Sequence, residues 1–285
     1  MDGFPSFLAV IGHPIGHTLS PVLHRAAFRA LGIDASYTAY DVAFERLPEV
    51  VRAMRTLEFR GFNVTIPHKT AVIDLLDECT PTALRMGAVN TVYVSDGKWI
   101  GDNTDGAGYL LSLGREHGFA VQGKRAVLLG AGGAAMGVAD ALLGAGLDAL
   151  WILNRHRAKA EALARRLAQH YQTNIVTGTI AEWPRERVDL LINATPVGMV
   201  GFLEGELPVP PDVFHERMLV SDLVYRPLVT PLLAAADKAG AKTSGGLGML
   251  VGQGALAFER WFGVFPSMDV MLAAAMPELD GSASK

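Results

Sequence analysis

A short apolar run that breaks into closely spaced glycines and passes straight into helical periodicity admits few folds. In this chain Arg125-Ala126-Val127-Leu128-Leu129 leads into Gly130-Ala131-Gly132-Gly133-Ala134-Ala135, and a helical pattern runs from Ala134 to Leu143. The spacing G-x-G-x-x-A falls on Gly130, Gly132 and Ala135. Gly130 permits a tight turn, and Gly132 lets backbone amides approach a pyrophosphate. Small Ala135 lets the helix pack on the sheet, and the helix N-terminus supplies partial positive charge. Strand, turn and helix in that order predict a dinucleotide site.

The pattern continues on both sides. Strands are predicted at 149–153, 174–177, 190–193 and 219–223, with a helix at 158–170, so this part reads as a doubly wound Rossmann-type domain. Upstream, apolar runs at 7–11, 35–41 and 61–66 alternate with helical patterns beginning at Ser20-Pro21 and Leu47. Ser20 is expected as the N-cap and Pro21 at the first helical position. Short helices are predicted at 70–76 and 81–86, and a hairpin pairs 89–94 with 99–101 across Ser95-Asp96-Gly97-Lys98. Strands alternating with helices predict a mostly parallel sheet here as well, so the fold class is α/β in two domains. An apolar helix is predicted from Met249 to Trp261, and the small polar tail 281–285 is expected to fray.

At 285 residues two domains are the natural expectation. Half of the residues are hydrophobic and the net charge is −4, which excludes disorder and argues against a nucleic-acid surface. No uncharged apolar run reaches the roughly 18 residues of a membrane span, and no basic-then-apolar leader opens the chain. A cytoplasmic protein without a membrane partner is expected. The single Cys79 excludes an internal disulfide. It is expected to be an inert packing residue, its thiol pKa raised by acidic neighbours. His13 and His17 are four apart, but Pro14 and Gly16 intervene, so no metal site is predicted.

Cofactor choice is written at the end of the second Rossmann strand. An NAD site usually places Asp or Glu there to bind the ribose 2′-OH. This chain has Asn154-Arg155-His156-Arg157-Ala158-Lys159 instead. Cations at a helix start oppose the macrodipole and need another reason to be there; a 2′-phosphate is such a reason. The balance favours NADP, with NAD as the alternative.

Three polar clusters lie at predicted strand ends, where open α/β sheets place ligands. They are His17–Pro21, Asn63–Lys69, and Asn90-Thr91 with Gly101–Gly106. With the glycine turn, Asn154-Arg155, Asn193-Ala194-Thr195, Asp222-Leu223-Val224-Tyr225 and Gly248–Gln253, they run in order along nearly the whole chain. In these motifs the chain closely resembles the shikimate dehydrogenase family.

That resemblance implies NADP-linked, reversible reduction of 3-dehydroshikimate to shikimate. It implies a substrate-binding catalytic domain over 1–106, an NADP-binding domain over 107–245, and C-terminal helices over 246–285 packing back toward the substrate domain. Lys69 would be the catalytic acid/base and Asp105 its partner, an arrangement the chemistry needs because hydride reduction of a ketone leaves an alkoxide awaiting a proton. Lys69 is expected in a first helical turn after Pro67, and Asp105 can also cap the helix through Tyr109 and Leu113. Thr18 and Ser20 would hold the substrate carboxylate, and Thr65, Asn90, Asp105, Tyr225 and Gln253 its other oxygens. Gly130, Ala131, Gly132, Gly133 and Ala134 would take the pyrophosphate. Asn154, Arg155 and Lys159 would take the adenosine side; Leu223, Gly246 and Met249 would lie near the nicotinamide. Asn193 and Thr195 end a strand that faces the cofactor.

The sequence departs from the family pattern in three places. Thr18 stands where Ser is usual, adding a methyl group to the carboxylate pocket, and one methyl shifts substrate preference by roughly 1–3 kcal/mol. Met136 replaces a frequent Arg, and His156 a common Thr. Quinate or aminoshikimate therefore stays an alternative substrate, monomer and homodimer both stay open, and a non-catalytic, substrate-binding regulatory relative is the reading of a different class. Another lysine-dependent NADP dehydrogenase, acting on a folate, is disfavoured by the small polar clusters.

Overall fold

The computed structural model describes residues 5–279, so the tail at 281–285 lies outside the described residues. The chain divides into two compact units, one running through Thr104 and resuming at Val251, the other from Asp105 to Leu250.

The first unit begins with β1 (Ser6–Gly12), α1 (Ser20–Leu31), β2 (Ala35–Asp41), α2 (Leu47–Thr56) and β3 (Gly61–Val64). It continues with β4 (Glu78–Cys79), α3 (Pro81–Met86), β5 (Thr91–Ser95) and β6 (Lys98–Asp102). The sheet order is β2-β1-β3-β5-β6-β4, with β5 alone reversed. β1 is buried from Leu8 to Gly12, as an interior strand covered on both faces must be. α2 buries Leu47, Val51 and Met54, one helical stripe. The β5–β6 hairpin turns at Asp96 and Gly97, both at positive φ (50° and 74°), which a two-residue turn between twisted strands requires.

The second unit holds α4 (Asp105–His117), β7 (Arg125–Leu129), α5 (Gly133–Gly144), β8 (Ala149–Leu153), α6 (Arg157–Leu167) and β9 (Asn174–Gly178). After these come β10 (Leu190–Asn193), β11 (Leu219–Asp222), α7 (Pro231–Lys238) and β12 (Lys242–Ser244). All pairings are parallel in the order β12-β11-β10-β7-β8-β9, the doubly wound arrangement with β7 beside the switch point. β7, β8, β10 and β11 supply a core that includes Val127, Leu129, Trp151, Leu191 and Val220. α4 meets α5 so closely that a Cβ on Gly106 would lie 2.4 Å from the Gly137 carbonyl oxygen. α8 (Gly246–Phe262) starts in this unit and ends in the first, which α9 (Met268–Leu279) completes. There Trp261 donates its indole N–H to the Val92 carbonyl (2.9 Å), and a Cβ on Gly61 would collide with the same indole.

Four expectations are corrected. Residues 71–75 form a 3-10 helix, and Lys69 sits in the turn before it rather than in a first α-helical turn. The N-cap of α1 is Leu19; Ser20 is already helical because its amide is taken by Thr18 Oγ1 (3.3 Å). Asp105 likewise opens α4 from within. α6 stops at Leu167, since the amides of Gln169 and His170 fall back to i−3 carbonyls and tighten the chain into a turn.

His24 on α1 is fully buried against Tyr37 (ring centroids 4.3 Å apart, stacked), Phe28, Phe258 and Trp261. Neither ring nitrogen has a hydrogen-bond partner among the described residues. Burial pushes its pKa down to about 3, which the Asn63 side chain offsets only in part. An unfolded histidine titrates near 6.5, so between pH 6.5 and 3 the unfolded chain binds the extra proton. The stability contributed by neutral His24 is therefore complete above pH 6.5 and lost as the pH falls toward 3. Urea titrations across that window should show a steep loss for the wild type and a shallower one for His24→Leu; parallel curves would contradict this account.

Candidate active site

In the first unit the side chains expected from the sequence to form a site collect where β1, β3 and β5 meet the loops at one edge. β1 exits through Gly12, where a Cβ would lie 2.4 Å from Thr65 Cγ2, so glycine is required for the two strand exits to touch. The Thr65 amide bonds the Ile11 carbonyl and the His13 amide bonds the Ile66 carbonyl (both 2.9 Å), fixing the two loops together. Thr18 Oγ1 donates to Ser20 Oγ (3.3 Å), and the Ser20 hydroxyl, free of capping duty, is buried beside Tyr37.

Lys69 is half-buried, and its carbonyl accepts the Val89 amide (2.8 Å). His68 anchors the same turn from beneath: it is fully buried, Nε2 lies 2.7 Å from the Val42 carbonyl, and its ring stacks on Phe44. A turn held at the ammonium-bearing residue's own carbonyl and at the residue before it restricts where that side chain can reach.

Asn90 is the hub of this edge. Its Oδ1 accepts from the Thr104 amide (2.9 Å) and Thr91 Oγ1 (2.9 Å), with Thr104 Oγ1 at 3.2 Å. Its Nδ2 donates to Thr104 Oγ1 (3.0 Å) and to Gln253 Oε1 (3.3 Å), while Thr104 Oγ1 reaches the Gln253 carbonyl (3.0 Å). Behind it, buried Asn63 donates to the Asn90 carbonyl and to Thr91 Oγ1 and accepts from the Tyr37 hydroxyl (2.6 Å). Tyr37, Asn63, Thr91 and Thr104 thus support the edge without having been singled out individually from the sequence. The signal was present: Asn63 interrupts an otherwise apolar strand, and an interior amide has to be bonded. Asp102 adds an ion pair to Arg260 (2.9 Å) and accepts from Thr80 and the Asn103 amide, steadying the approach to Asp105. Asp105 itself is buried at the start of the second unit.

In the second unit the glycine turn has two kinds of glycine. Gly130 has φ +106°, and its Cβ would lie 3.0 Å from the Ala194 carbonyl oxygen and 3.2 Å from Thr195 Cγ2. The fold itself demands this glycine. Gly132 caps α5 at φ −90°, and a Cβ there or on Gly133 would meet no atom of the chain within 4 Å. Ala131 and Ala134 complete the turn, and Ala135 is fully buried against the sheet.

At the end of β8, half-buried Asn154 donates to the His156 carbonyl (2.9 Å). Arg155 and Lys159 are exposed, with no ion-pair partner among the described residues, whereas Arg157 is occupied by Glu182. The cationic group is therefore two residues rather than three. At the end of β10, Asn193 is fully buried. Its Nδ2 donates to Asp222 (2.9 Å) and the Val197 carbonyl (3.3 Å), and its Oδ1 accepts from the Thr195 amide (3.0 Å) and hydroxyl (2.6 Å). Its side chain is spent on shape. A Cβ on Gly246 would lie 2.2 Å from the Leu223 carbonyl oxygen, so the start of α8 presses on the end of β11, with Met249 half-buried one turn on. Tyr225 is half-buried, and burial raises its phenol pKa.

Asp222 ends β11 fully buried, and burial pushes its pKa up to about 6 against the donors that bond it. An unfolded aspartate titrates near 3.8, so here the folded chain binds the extra proton, and ionising Asp222 costs on the order of 3 kcal/mol of stability above pH 6. Cys79 has a raised pKa as expected, but burial is the main cause and Asp102 the charge involved, rather than its sequence neighbours. Among the described residues no three His, Cys, Asp or Glu side chains cluster as a metal site would need, and no described helix is long and apolar enough to cross a membrane.

The glycine turn at the switch point of a doubly wound sheet defines the class: a dinucleotide-binding α/β protein with a second, polar-edged α/β unit. Family models match over most of the chain. They are the shikimate dehydrogenase substrate binding domain (residues 10–92), shikimate/quinate 5-dehydrogenase (113–198) and the shikimate 5′-dehydrogenase C-terminal domain (246–276). A shikimate dehydrogenase (NADP(+)) of Methanopyrus kandleri is 44% identical over 283 residues, 98% of each chain. A crystal structure of a shikimate dehydrogenase in complex with NADP+ superposes with a TM-score of 0.91 at 42% identity, covering 96% of each chain. The Thermus thermophilus enzyme in complex with NADP(H) and shikimate gives a TM-score of 0.85 at 41% identity, over 96% of this chain and 100% of that one. The chain belongs to the shikimate dehydrogenase family.

The two kinds of glycine should separate in stability measurements. Gly130→Ala is expected to cost ~1–3 kcal/mol, from a left-handed φ and contact with Ala194. Gly132→Asp should hold or raise the Tm, because Asp is a favoured cap at an extended φ,ψ. Equal losses in thermal melts would refute the distinction.

Proposed function

We propose that the protein catalyses the reversible, NADP-dependent reduction of 3-dehydroshikimate to shikimate. One observation carries the reading: Lys69, after β3, and the Asn90 hub, before the reversed β5, lie at the edge of the first sheet where β1 and β3 exit, and the open glycine turn lies beside the switch point of the second. Gly132 and Gly133 fit a pyrophosphate, since no atom of the chain explains why they lack side chains and the first amides of α5 have no partner within the helix. Gly130, Ala131 and Ala134 shape the same turn. Arg155 and Lys159 suit a 2′-phosphate, with Asn154 beside them. Thr195, Leu223, Gly246 and Met249 are assigned to the nicotinamide side, with Asn193 holding Thr195 in place.

NADPH supplies the hydride that reduces the carbonyl carbon, and NADP+ accepts it in the reverse direction. Lys69 donates a proton from Nζ to the oxygen that becomes the hydroxyl, and takes it back when shikimate is oxidised. Asp105 orients that hydroxyl and the ammonium together. Thr18 and Ser20 bond the carboxylate through their hydroxyls. Thr65, Asn90, Tyr225 and Gln253 bond the remaining oxygens. The Asn90–Gln253 contact is long, at 3.3 Å, and is one that a substrate hydroxyl can replace at little cost. Each such donor rejects an analogue that lacks its partner. The added methyl of Thr18 keeps quinate as a second substrate to be tested, in line with the shikimate/quinate family model that matches 113–198. The domain roles follow from these assignments, with the substrate held by the unit that contains Lys69 and NADP by the unit of the glycine turn.

Lys69→Ala should lower kcat by at least ~100-fold, the usual worth of a positioned acid, with shikimate binding retained in calorimetry. Unchanged turnover would sink the mechanism. Arg155→Gln with Lys159→Gln should reduce the preference for NADP over NAD by roughly tenfold or more, the loss of one or two charge-assisted bonds. The comparison needs kcat/KM for both cofactors with shikimate and with quinate; a preference left intact would remove the cations from the site.

A further inference from the structure

Asp222 is a buried carboxylate with no ion-pair partner among the described residues. Its Oδ1 accepts from Asn193 Nδ2 (2.9 Å) and the Val224 amide (3.0 Å), and its Oδ2 from Thr230 Oγ1 (2.7 Å). Thr230, also fully buried, caps α7 by accepting the Leu233 amide (3.3 Å). One carboxylate therefore fastens three segments: the end of β10, whose Asn193 bonds Thr195 in the loop beyond, the loop leaving β11, and the start of α7. The first carries Thr195 and the second Leu223 and Tyr225. Both lie on the β10–β11 side of β7, while Asn154, Arg155 and Lys159 lie on the β8 side.

We propose that Asp222 is a positioning residue for the nicotinamide half of the cofactor, its ionised carboxylate setting the spacing of the β10 and β11 exit loops. This rests on the NADP reading of the second unit. A carboxylate is the group the geometry calls for, because three donors converge on it and it brings no hydrogen of its own. An amide in its place turns an N–H toward at least one of those donors. Protonation has a milder form of the same effect: it reverses the Thr230 bond and removes the charge that strengthens the other two. The burial that raises its pKa to about 6 puts this change just below neutrality. Other titratable or charged groups on the surrounding elements are Tyr225 and Arg226 on the exit loop, and Tyr109 and Glu116 on α4 toward Ser221. Arg115 and His117 on α4, Arg125 on β7, Asp189 before β10, Lys242 on β12 opposite Leu219, and Asp237 and Lys238 in the last turn of α7 lie on the same flanking elements.

The readout is the ratio of NADPH affinity to 2′,5′-ADP affinity, from calorimetry between pH 5 and 8. The ratio cancels the titration of the 2′-phosphate, which falls in the same range. The wild type should hold a constant ratio above pH 7 and lose it progressively below. Asp222→Asn should give a ratio roughly tenfold lower and flat with pH, the loss of one hydrogen bond to a charged group. Thr230→Val removes a donor that favours the charged form, so its decline should begin at higher pH; Thr230→Ser should restore the wild-type profile. A wild-type ratio and profile in both Asp222→Asn and Thr230→Val would overturn the proposal. If Asp222→Asn does not fold, the Thr230 pair decides. Failure of 2′,5′-ADP to bind the wild type would instead bring down the cofactor reading, and this proposal with it, by a different signature.

Discussion

A polar group buried at the end of a strand must find its hydrogen bonds inside the chain, and that requirement shapes the working edges of both sheets. In each unit an asparagine meets it. Asn90 binds Thr91, Thr104 and Gln253, while Asn193 binds Thr195, Val197 and Asp222. An amide offers two donors and an acceptor with two lone pairs in one plane, so satisfying all of them fixes several neighbours at once. The loops that leave the strands are thereby held in one arrangement. Glycine does the complementary work at the switch points. Gly12 lets the β1 exit touch Thr65, and Gly130 lets the β7 exit touch Ala194 and Thr195. In both cases the chain leaves the strand beside the switch point through a residue without a side chain, because the neighbouring exit occupies that space.

Two buried titratable groups pull the pH dependence of stability in opposite directions. Neutral His24 makes the first unit sensitive to acid, since charging it would strand an imidazolium among Tyr37, Phe28, Phe258 and Trp261. Asp222 makes the second unit less stable once it ionises. His24 lies in an aromatic box, where a phenylalanine would serve packing nearly as well. Asp222 lies among three donors, where no apolar residue would serve. A costly buried charge with converging donors is the pattern that function produces more often than packing does.

Much of this was legible in the sequence where one signal dominates. Uninterrupted apolar runs located β7, β8 and β10 to the residue, and the Asp96-Gly97 pair located the hairpin turn. Signals that compete were read less well. Lys69 follows Pro67, which favours a helix start, yet bonds from His68 and Val89 hold it in a turn. Ser20 before Pro21 reads as a cap, but Thr18 takes over the amide that would have needed one. Short elements escaped altogether. β4 has two residues and β12 three, too few for any period to show, and both exist only because a neighbouring strand offers an edge. α7 did carry a signal, Thr230 before Pro231, and the structure shows why: that threonine bonds both Leu233 and Asp222.

The same logic sharpens the place of Thr18. A serine at that position could turn its hydroxyl freely, whereas the threonine methyl restricts χ1. Here Thr18 Oγ1 is already engaged twice, accepting the Ser20 amide and donating to Ser20 Oγ. Both bonds are long, at 3.3 Å, and both keep the two hydroxyls pointing into one space. Restricting the rotamer therefore favours the orientation in which both contacts with Ser20 are kept. On this geometry the methyl group acts on Thr18 by fixing its rotamer against Ser20 rather than by crowding it, which suits the proposed role of the pair toward a carboxylate.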